Sequence, residues 1–278
     1  MRYKTHLLIA GLLLGVTLYT TSCVMATRGA ITAITIKGSD FHFEAPAKVQ
    51  AGMVSITFEN KGQEAHHMQL VQLKEGVTID QLLAVLPKGD AAMLALLKDI
   101  DGGVGPIEPG GSGRVTVKLA PGNYVLLCFM PSHDGVPHLA KGMVAPLTVV
   151  GEMPKQQAEP VADGTVKLVN FSFVLPERIK AGAQTWMLSN EGTQPHEFAL
   201  IKLAEGKTID DLMAFNQNPH GAPPFQNVGG FQGIEPGKRG WLHLDLTPGV
   251  YVAICHIPDP ASGKAHSELG MMMPFTVK

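Results

Sequence analysis

Apolar and polar residues alternate with a period of two along much of the chain. The pattern is clear in residues 115–119 and 242–246, where Val or Leu occupies every second position. Because successive side chains of a β-strand point to opposite faces, this alternation predicts strands with one buried face. The Pro-Gly pairs at 121–122 and 248–249 stand just before further apolar runs and predict turns that lead into strands.

Two short segments break the period of two and are predicted helices. Thr78 and Thr208 stand as candidate N-caps before "IDQLLAVL" and "IDDLMAFN". The segment "AAMLALLKD" at 91–99 predicts another turn or two of helix in the first half. We therefore expect β-sandwiches of antiparallel strands, with a helical insertion between the middle strands.

The chain contains an internal repeat. "ENKGQEAHHMQLVQL" aligns with "SNEGTQPHEFALIKL", so that His66 falls on His196. Further along, "PGNYVLLC" aligns with "PGVYVAIC", and "HLAKGMVAPLTV" aligns with "HSELGMMMPFTV". The repeat predicts one domain at 31–150 and a second at 165–278, joined by a polar, proline-containing linker at 151–164.

The N-terminus has the pattern of an export signal. Arg2 and Lys4 precede an apolar run from Leu7 to Val16, which is of signal-peptide length. Residues 1–26 would be removed if cleavage follows the small residues around Ala26. Alternatively, Cys23 would be lipidated, as in a bacterial lipoprotein. Either route predicts a periplasmic or extracytoplasmic protein, attached to a membrane only through the lipid if at all.

The composition limits the classes of partner that we expect. The chain carries 22 Lys and Arg against 24 Asp and Glu, without a basic stripe, so nucleic acid is not an expected partner. Only 6% of the residues are aromatic, whereas Gly (31) and Pro (20) are abundant, which suits many short strands joined by turns.

Four residue types recur in the same order in each repeat, and they include the two cysteines outside the signal region. The residues are His66, Cys128, His138 and Met143 in the first repeat, and His196, Cys255, His266 and Met271 in the second. A disulfide between the cysteines is the ordinary expectation in an exported protein, but equivalent positions of separate domains seldom meet the required geometry. Two imidazoles, a thiolate and a thioether instead form the donor set that holds copper with a weak axial methionine.

These motifs resemble the cupredoxin, or blue-copper, family. The resemblance rests on "QPHEFAL", "PGNYVLLC" and "PHLAKGMVAPLTVV", and it extends over nearly all of residues 31–278. It implies two tandem cupredoxin-like Greek-key β-sandwiches, an all-β fold, with up to one type 1 copper in each domain bound by the eight residues above. The loops between Cys and His hold nine residues (129–137) and ten (256–265), which is longer than in plastocyanin-like proteins.

The remaining histidines are weaker candidates for metal ligands. His133 is an alternative loop ligand without a counterpart in the second repeat. His67 aligns with Glu197 and is expected to face solvent. His42, His220 and His243 are expected on the surface, and His256, directly after Cys255, resembles the Cys-His pair of multicopper oxidases.

Several functions fit this pattern. The leading prediction is a one-electron carrier with a redox protein as partner, in which His138, between Pro137 and Leu139, presents its edge to the surface. Copper storage or delivery, or a copper-free interaction lipoprotein, are the alternatives. Oxidase or nitrite reductase activity is not expected, because no histidine precedes Cys128 or Cys255 and no His-x-His occurs in the chain.

Overall fold

The computed structural model describes residues 29–86, 90–218 and 220–278, and it shows an all-β protein with short helices. The predictions for the export signal and for Cys23 lie outside the described residues. In the first half the elements, in chain order, are β1 (Thr32–Ser39), β2 (His42–Glu44), β3 (Lys48–Gln50), β4 (Gly52–Asn60), β5 (His66–Leu73), α1 (Ile79–Val85), α2 (Asp90–Leu94), β6 (Leu97–Ile107), β7 (Ser112–Leu119), β8 (Gly122–Leu127) and β9 (Val144–Val150).

The second half repeats this order with fewer elements. Its elements are β10 (Gly164–Val169), β11 (Ser172–Val174), β12 (Gly182–Asn190), β13 (His196–Leu203), α3 (Ile209–Gln217), β14 (Phe225–Ile234), β15 (Arg239–Leu246), β16 (Gly249–Ile254) and β17 (Met272–Val277). A 3-10 helix precedes the last strand of each half, at His138–Lys141 and His266–Leu269. None of the helices in the described residues has the length and apolar character needed to cross a bilayer.

The helices begin where the sequence predicts. Thr78 and Thr208 are N-caps, and each accepts a hydrogen bond from the backbone N–H three residues later while the side chain there, Gln81 or Asp211, bonds back to the cap. The predicted helix at 91–99 is shorter than expected. It ends at Leu94, and residues from Leu97 onward join β6, because their apolar side chains pack on the sheet beneath the helices.

Both sheets run through both halves of the molecule. Among the described residues, one sheet has the order β11-β10-β12-β15-β7-β4-β1-β2 and the other has β17-β16-β13-β14-β6-β5-β8-β9-β3. Most neighbours are antiparallel, but β1 with β4, β10 with β12 and β3 with β9 are parallel. This differs from the antiparallel prediction because the chain crosses to the other sheet between β1 and β4, and a strand that returns after a crossover can lie parallel to its neighbour.

The joint between the halves is formed by β7 with β15 and by β6 with β14. Val115 pairs with Leu242, and Val104 pairs with Phe231. Each residue thus lies opposite its own counterpart in the repeat, which is the pairing that a twofold rotation produces. The two halves are therefore related by an approximate twofold axis that passes through the joint.

His243 lies at this joint and not on the surface, contrary to the sequence-based expectation. Its Nε2 is 2.9 Å from Oγ1 of Thr116 in the first half, and its Nδ1 is 3.1 Å from Oγ1 of Thr185 in the second. Burial and the charge of Arg114 lower the pKa of His243 to about 4. The repeat places Thr116 in the equivalent position, so the alignment gave no indication that one of the pair bridges the halves.

One apolar core lies between the two sheets and draws on both halves, from Ile36 to Val277. On the outer face of the nine-stranded sheet two smaller clusters lie beneath the helices, one around Leu82 and one around Leu212. As a result both faces of β5 and nearly all of β13 are buried, which fixes the strands that begin with His66 and His196.

Candidate metal centres

The first donor group, defined as His66, Cys128, His138 and Met143, is held by two neighbouring strands and one loop. His66 begins β5, and Cys128 directly follows β8, which pairs with β5. The loop returns to the sheet through backbone hydrogen bonds from Leu139 N to Cys128 O at 2.8 Å and from Met143 N to His138 O at 2.9 Å. All four residues of the group have side chains sealed from solvent.

The imidazole and thiol donor atoms of this group converge. His66 Nδ1 is 2.9 Å from His138 Nδ1, and His138 Nδ1 is 3.5 Å from Cys128 Sγ. The three donor atoms all lie within 4.8 Å of one another. Met143 is fully buried and follows His138 in the same turn. The structure thus brings His66, Cys128 and His138 to one place, with Met143 in the turn that follows.

The second donor group, defined as His196, Cys255, His266 and Met271, has the same construction. His196 Nδ1 is 3.0 Å from His266 Nδ1, and His266 Nδ1 is 3.3 Å from Cys255 Sγ. Met271 N donates to His266 O at 2.8 Å, and the side chain of Met271 is fully buried. The alternative loop ligand His133 is exposed and belongs to neither group.

The hydrogen bonds on the far side of each ring decide which nitrogen carries the proton. His66 Nε2 lies 2.8 Å from Asp40 Oδ1, and His138 Nε2 lies 3.0 Å from Glu64 Oε2. A carboxylate only accepts, so each Nε2 donates and each neutral ring presents a lone pair at Nδ1. Two lone pairs that face each other at 2.9 Å repel unless a cation lies between them. Together with a soft sulfur donor, this arrangement fits copper.

Amide oxygens replace the carboxylates in the second donor group. His196 Nε2 lies 3.2 Å from Asn170 Oδ1, and His266 Nε2 lies 3.2 Å from Gln194 Oε1. The amide orientations are fixed by their other partners, since Asn170 Oδ1 accepts from Thr193 N and Gln194 Nε2 donates to Asp259 Oδ1. Both rings therefore donate from Nε2 here too, and both lone pairs at Nδ1 face the centre.

Burial keeps both thiols protonated without a metal. It raises the pKa of Cys128 to about 11, against smaller opposing hydrogen bonds from backbone N–H groups. Burial also raises the pKa of Cys255, with the nearby Glu197 carboxylate acting in the same direction. On the histidine side, burial and the charge of His266 lower the pKa of His196 to about 4. Neutral imidazoles are ready to bind a metal, whereas each thiol must lose a proton to do so.

The residues directly after His66 and His196 are buried, so the expectation that His67 faces solvent is wrong. His67 Nε2 accepts from Phe129 N at 2.6 Å, and Glu197 Oε1 accepts from His256 N at 2.7 Å. Both side chains tie the strand that carries a histidine donor to the residue after the cysteine. Burial lowers the pKa of His67 to about 3 and raises the pKa of Glu197. The sequence missed this role because a period of two predicts an exposed outer face, which here is covered.

A cavity of about 660 Å³ occupies that outer face between the two halves. Its walls are largely apolar, and His67, Phe129, Glu197 and His256, which follow donor residues in each half, line it. The cavity is within the range of about 300–1,000 Å³ that is typical of small-molecule sites.

His138 does not present its edge to the surface, contrary to expectation. Its ring is fully buried, Leu139 is 4% exposed, and Glu64 covers the Nε2 side. Val136 is the exposed apolar residue of this loop, at 40% exposure. The sequence signal that could have identified Glu64 is its alignment with Gln194, the sixth letter of the matched block.

Comparison with known proteins gives matches among solved structures. Neither a protein-family model nor a curated protein sequence matches the chain. Auracyanin from Roseiflexus castenholzii is 28% identical, with a TM-score of 0.31, and the match covers 44% of this chain and all of that one. A multicopper oxidase (16% identical, TM-score 0.26) matches over 88% of both chains. The copper nitrite reductase from Nitrosomonas europaea (14% identical, TM-score 0.27) matches over 90% of this chain and 94% of its own.

These matches correct the expectation that the chain lacks enzyme activity. The solved structures matched over both halves include proteins named as an oxidase and as a nitrite reductase, so the exclusion based on missing histidines does not hold. The auracyanin match covers 44% of the chain, about one half. With a buried His-Cys-His group at equivalent places in its two halves, this chain is a two-domain, copper-binding cupredoxin-like protein.

Proposed function

We propose that the protein carries single electrons through a type 1 copper in each half. His66, Cys128, His138 and Met143 would hold one copper, and the second donor group would hold the other. Copper supplies one-electron chemistry between its two common oxidation states. The observation that carries the proposal is the pair of facing Nδ1 lone pairs beside a buried thiol, at 2.9 and 3.5 Å in the first half.

The protein's own contribution is a frame that moves little when the charge at the centre changes. Each imidazole is fixed at its far nitrogen by a hydrogen bond. Cys255 Sγ also accepts from the backbone N–H of Glu197, the residue after His196, at 3.4 Å. Because the sheet and these hydrogen bonds hold the imidazole and thiol donor atoms within 4.8 Å of one another, little reorganisation would accompany a change of oxidation state. Such preorganisation is what electron transfer requires of a site.

The test is the visible spectrum of the purified protein after addition of copper(II), with bound copper counted per chain. We expect an intense thiolate-to-copper band, about half of which is lost in Cys128→Ser and half in Cys255→Ser. Ser267→Ala, at a partly exposed position next to His266, is a control that should leave the band intact. A colourless protein without stoichiometric copper would refute the proposal. Rapid loss of copper(I) to a chelator would instead favour storage or delivery.

We also propose that the protein is exported and receives its electron from a redox protein that docks beside Val136. The basic start and apolar run before residue 26 support export. Cell fractionation of the full chain, with metabolic lipid labelling of the native protein and of Cys23→Ala, separates a lipoprotein from a soluble form. Cytoplasmic recovery of an uncleaved chain would contradict the proposal.

The cavity supports a second candidate function, oxidation or reduction of a small molecule. His67, Glu197 and His256 are among the polar side chains that line this largely apolar cavity. Oxygen uptake by the copper-loaded protein with an organic reductant such as hydroquinone tests this. Turnover that falls in His256→Phe, with the visible band unchanged, would favour an enzyme, and absence of turnover with fast electron exchange would favour the carrier.

A further inference from the structure

The two donor groups differ in the charge that borders their imidazole rings. In the first group the ring N–H groups donate to the carboxylates of Asp40 and Glu64. In the second they donate to the amides of Asn170 and Gln194. The repeat aligns Asp40 with Asn170 and Glu64 with Gln194, so the same hydrogen bond is kept in each case while the negative charge is not.

The carboxylates are held in place by further hydrogen bonds. Asp40 Oδ2 accepts from Gln63 N at 2.8 Å, and Glu64 Oε1 accepts from Ser132 Oγ at 2.8 Å. Lys141, whose ammonium contacts Ser132 Oγ at 3.1 Å, lies 2.7 Å from Asp134 and is therefore paired with another carboxylate. The two negative charges at the first group therefore act directly on the two rings.

Two carboxylates lie near the second group, and neither accepts from a donor imidazole. Glu197 accepts from His256 N, beside Cys255, and burial raises the pKa of Glu197. Asp259 accepts from the amide of Gln194, and it is also bonded to Ser262 N and Oγ. Asp259 occupies the place of Ser132 in the repeat. In the second half a Gln194–Asp259 pair stands where the first half has the Glu64–Ser132 pair. The negative charge therefore lies further from the ring of His266 than the Glu64 carboxylate lies from the ring of His138.

From this difference we infer that the two centres have unequal reduction potentials, with the first group lower, so that a single electron rests on the second. A carboxylate that accepts from a ligand imidazole raises the basicity of the ring and favours the more positive state of the metal. Partners of this kind change metal affinity by about 10–100-fold. For a one-electron couple, at 59 mV per tenfold, that corresponds to about 60–120 mV. This inference rests on the proposed function.

The experiment measures the midpoint potential of each centre separately. Cys255→Ser leaves only the first centre with copper, and Cys128→Ser leaves only the second. We expect the second centre to have the higher potential, by an amount that corresponds to at least a tenfold difference in the ratio of copper(II) to copper(I) affinity.

Exchange of the bordering residues then tests the cause. Asp40→Asn with Glu64→Gln should raise the potential of the first centre, and Asn170→Asp with Gln194→Glu should lower that of the second. Glu44→Gln removes an exposed carboxylate that pairs with Lys37 and serves as the matched control. Equal potentials in the two centres, or exchanges with no more effect than the control, would overturn the inference. Glu64→Gln alone covers the case in which the double variant does not fold.

A copper-free measurement separates this inference from the proposed function. Nitrogen NMR of the histidine rings should show Nε2 protonated in all four donors, with the rings of His66 and His138 perturbed by Asp40→Asn and Glu64→Gln. An intense band with equal potentials refutes the inference alone. Failure to form the band refutes the proposed function, whatever the ring protonation shows.

Discussion

The imidazole of His243 makes the joint between the halves sensitive to pH. Its two nitrogens lie 2.9 and 3.1 Å from the hydroxyls of Thr116 and Thr185, which belong to different halves. Burial, assisted by the charge of Arg114, lowers the pKa of His243 to about 4, from an ordinary value of 6.5. Between pH 6.5 and 4 the unfolded chain therefore binds a proton at this residue that the folded chain does not.

The sign and size of the effect follow from linkage. The contribution of His243 is complete above the unfolded pKa and is lost as the pH falls towards the folded pKa, so stability rises with pH across this window. With the folded pKa at about 4, the free energy of unfolding should be about 2 kcal/mol lower at pH 5 than at pH 7 because of this residue alone. Because solvent screens the half-buried ring, about 2 kcal/mol is the upper end of this contribution.

Urea unfolding at pH 7 and pH 5, followed by tryptophan fluorescence, measures the difference. Trp241 pairs with Thr116 across the joint and reports on it directly. His243→Gln keeps polar groups towards both threonines but does not titrate, so its pH 5 penalty should be smaller than that of the native protein by about 2 kcal/mol. His42→Gln, at an exposed strand position, is the control and should keep the native pH dependence. Equal pH dependence in His243→Gln and the native protein would refute the reasoning.

Three further predictions concern the core, a helix cap and metal binding. Leu242→Ala, at 2% exposure in the joint, should lower the free energy of unfolding by about 2–5 kcal/mol in urea titration, whereas Val174→Ala at 50% exposure should change it by under about 0.5 kcal/mol. Thr208→Ala removes a capping box and should cost about 1 kcal/mol, and Thr208→Ser should restore most of it; an unchanged midpoint in both would contradict the capping role. Copper(II) binding at pH 7 should release about one proton per copper in a weakly buffered solution, because burial raises the pKa of both Cys128 and Cys255, and binding without release would show that the thiols are not donors.

The sequence predicted the elements and the grouping of the donors well, for a physical reason. Alternation of Tyr124, Leu126 and Cys128 sets which face of β8 is buried, and the cysteine at the end of that face must reach the core. His66 heads the inward series of a neighbouring strand in the same way. These local patterns are enough to bring the side chains together, because strand pairing leaves little choice of direction.

The sequence could not show how the halves join or what lies on the outer face of the sheet. An alternation pattern identifies one buried face per strand, whereas His67 and Gln69 are buried on the other face. There His67 packs against Phe129, and Gln69 Nε2 donates to Gly233 O of the opposite half at 3.0 Å. The joint uses Val115 and Leu242, which look like ordinary core positions in either repeat. Burial that arises between equivalent units leaves no signal in the alignment of one unit with the other.

The two halves differ next to the donor atoms and not among them, as expected for a duplicated domain. The His, Cys and Met residues of the two donor groups are identical in the two halves, and each would supply one donor to the proposed copper. The residues that accept from the ring N–H groups can differ as long as an oxygen remains there, and Asp40 with Asn170 and Glu64 with Gln194 differ in charge alone. Two centres with equal reduction potentials would give electron transfer between them no preferred direction. A protein with carboxylates at the first centre and amides at the second holds a free-energy difference between them, and an electron that enters at either centre comes to rest at the same one.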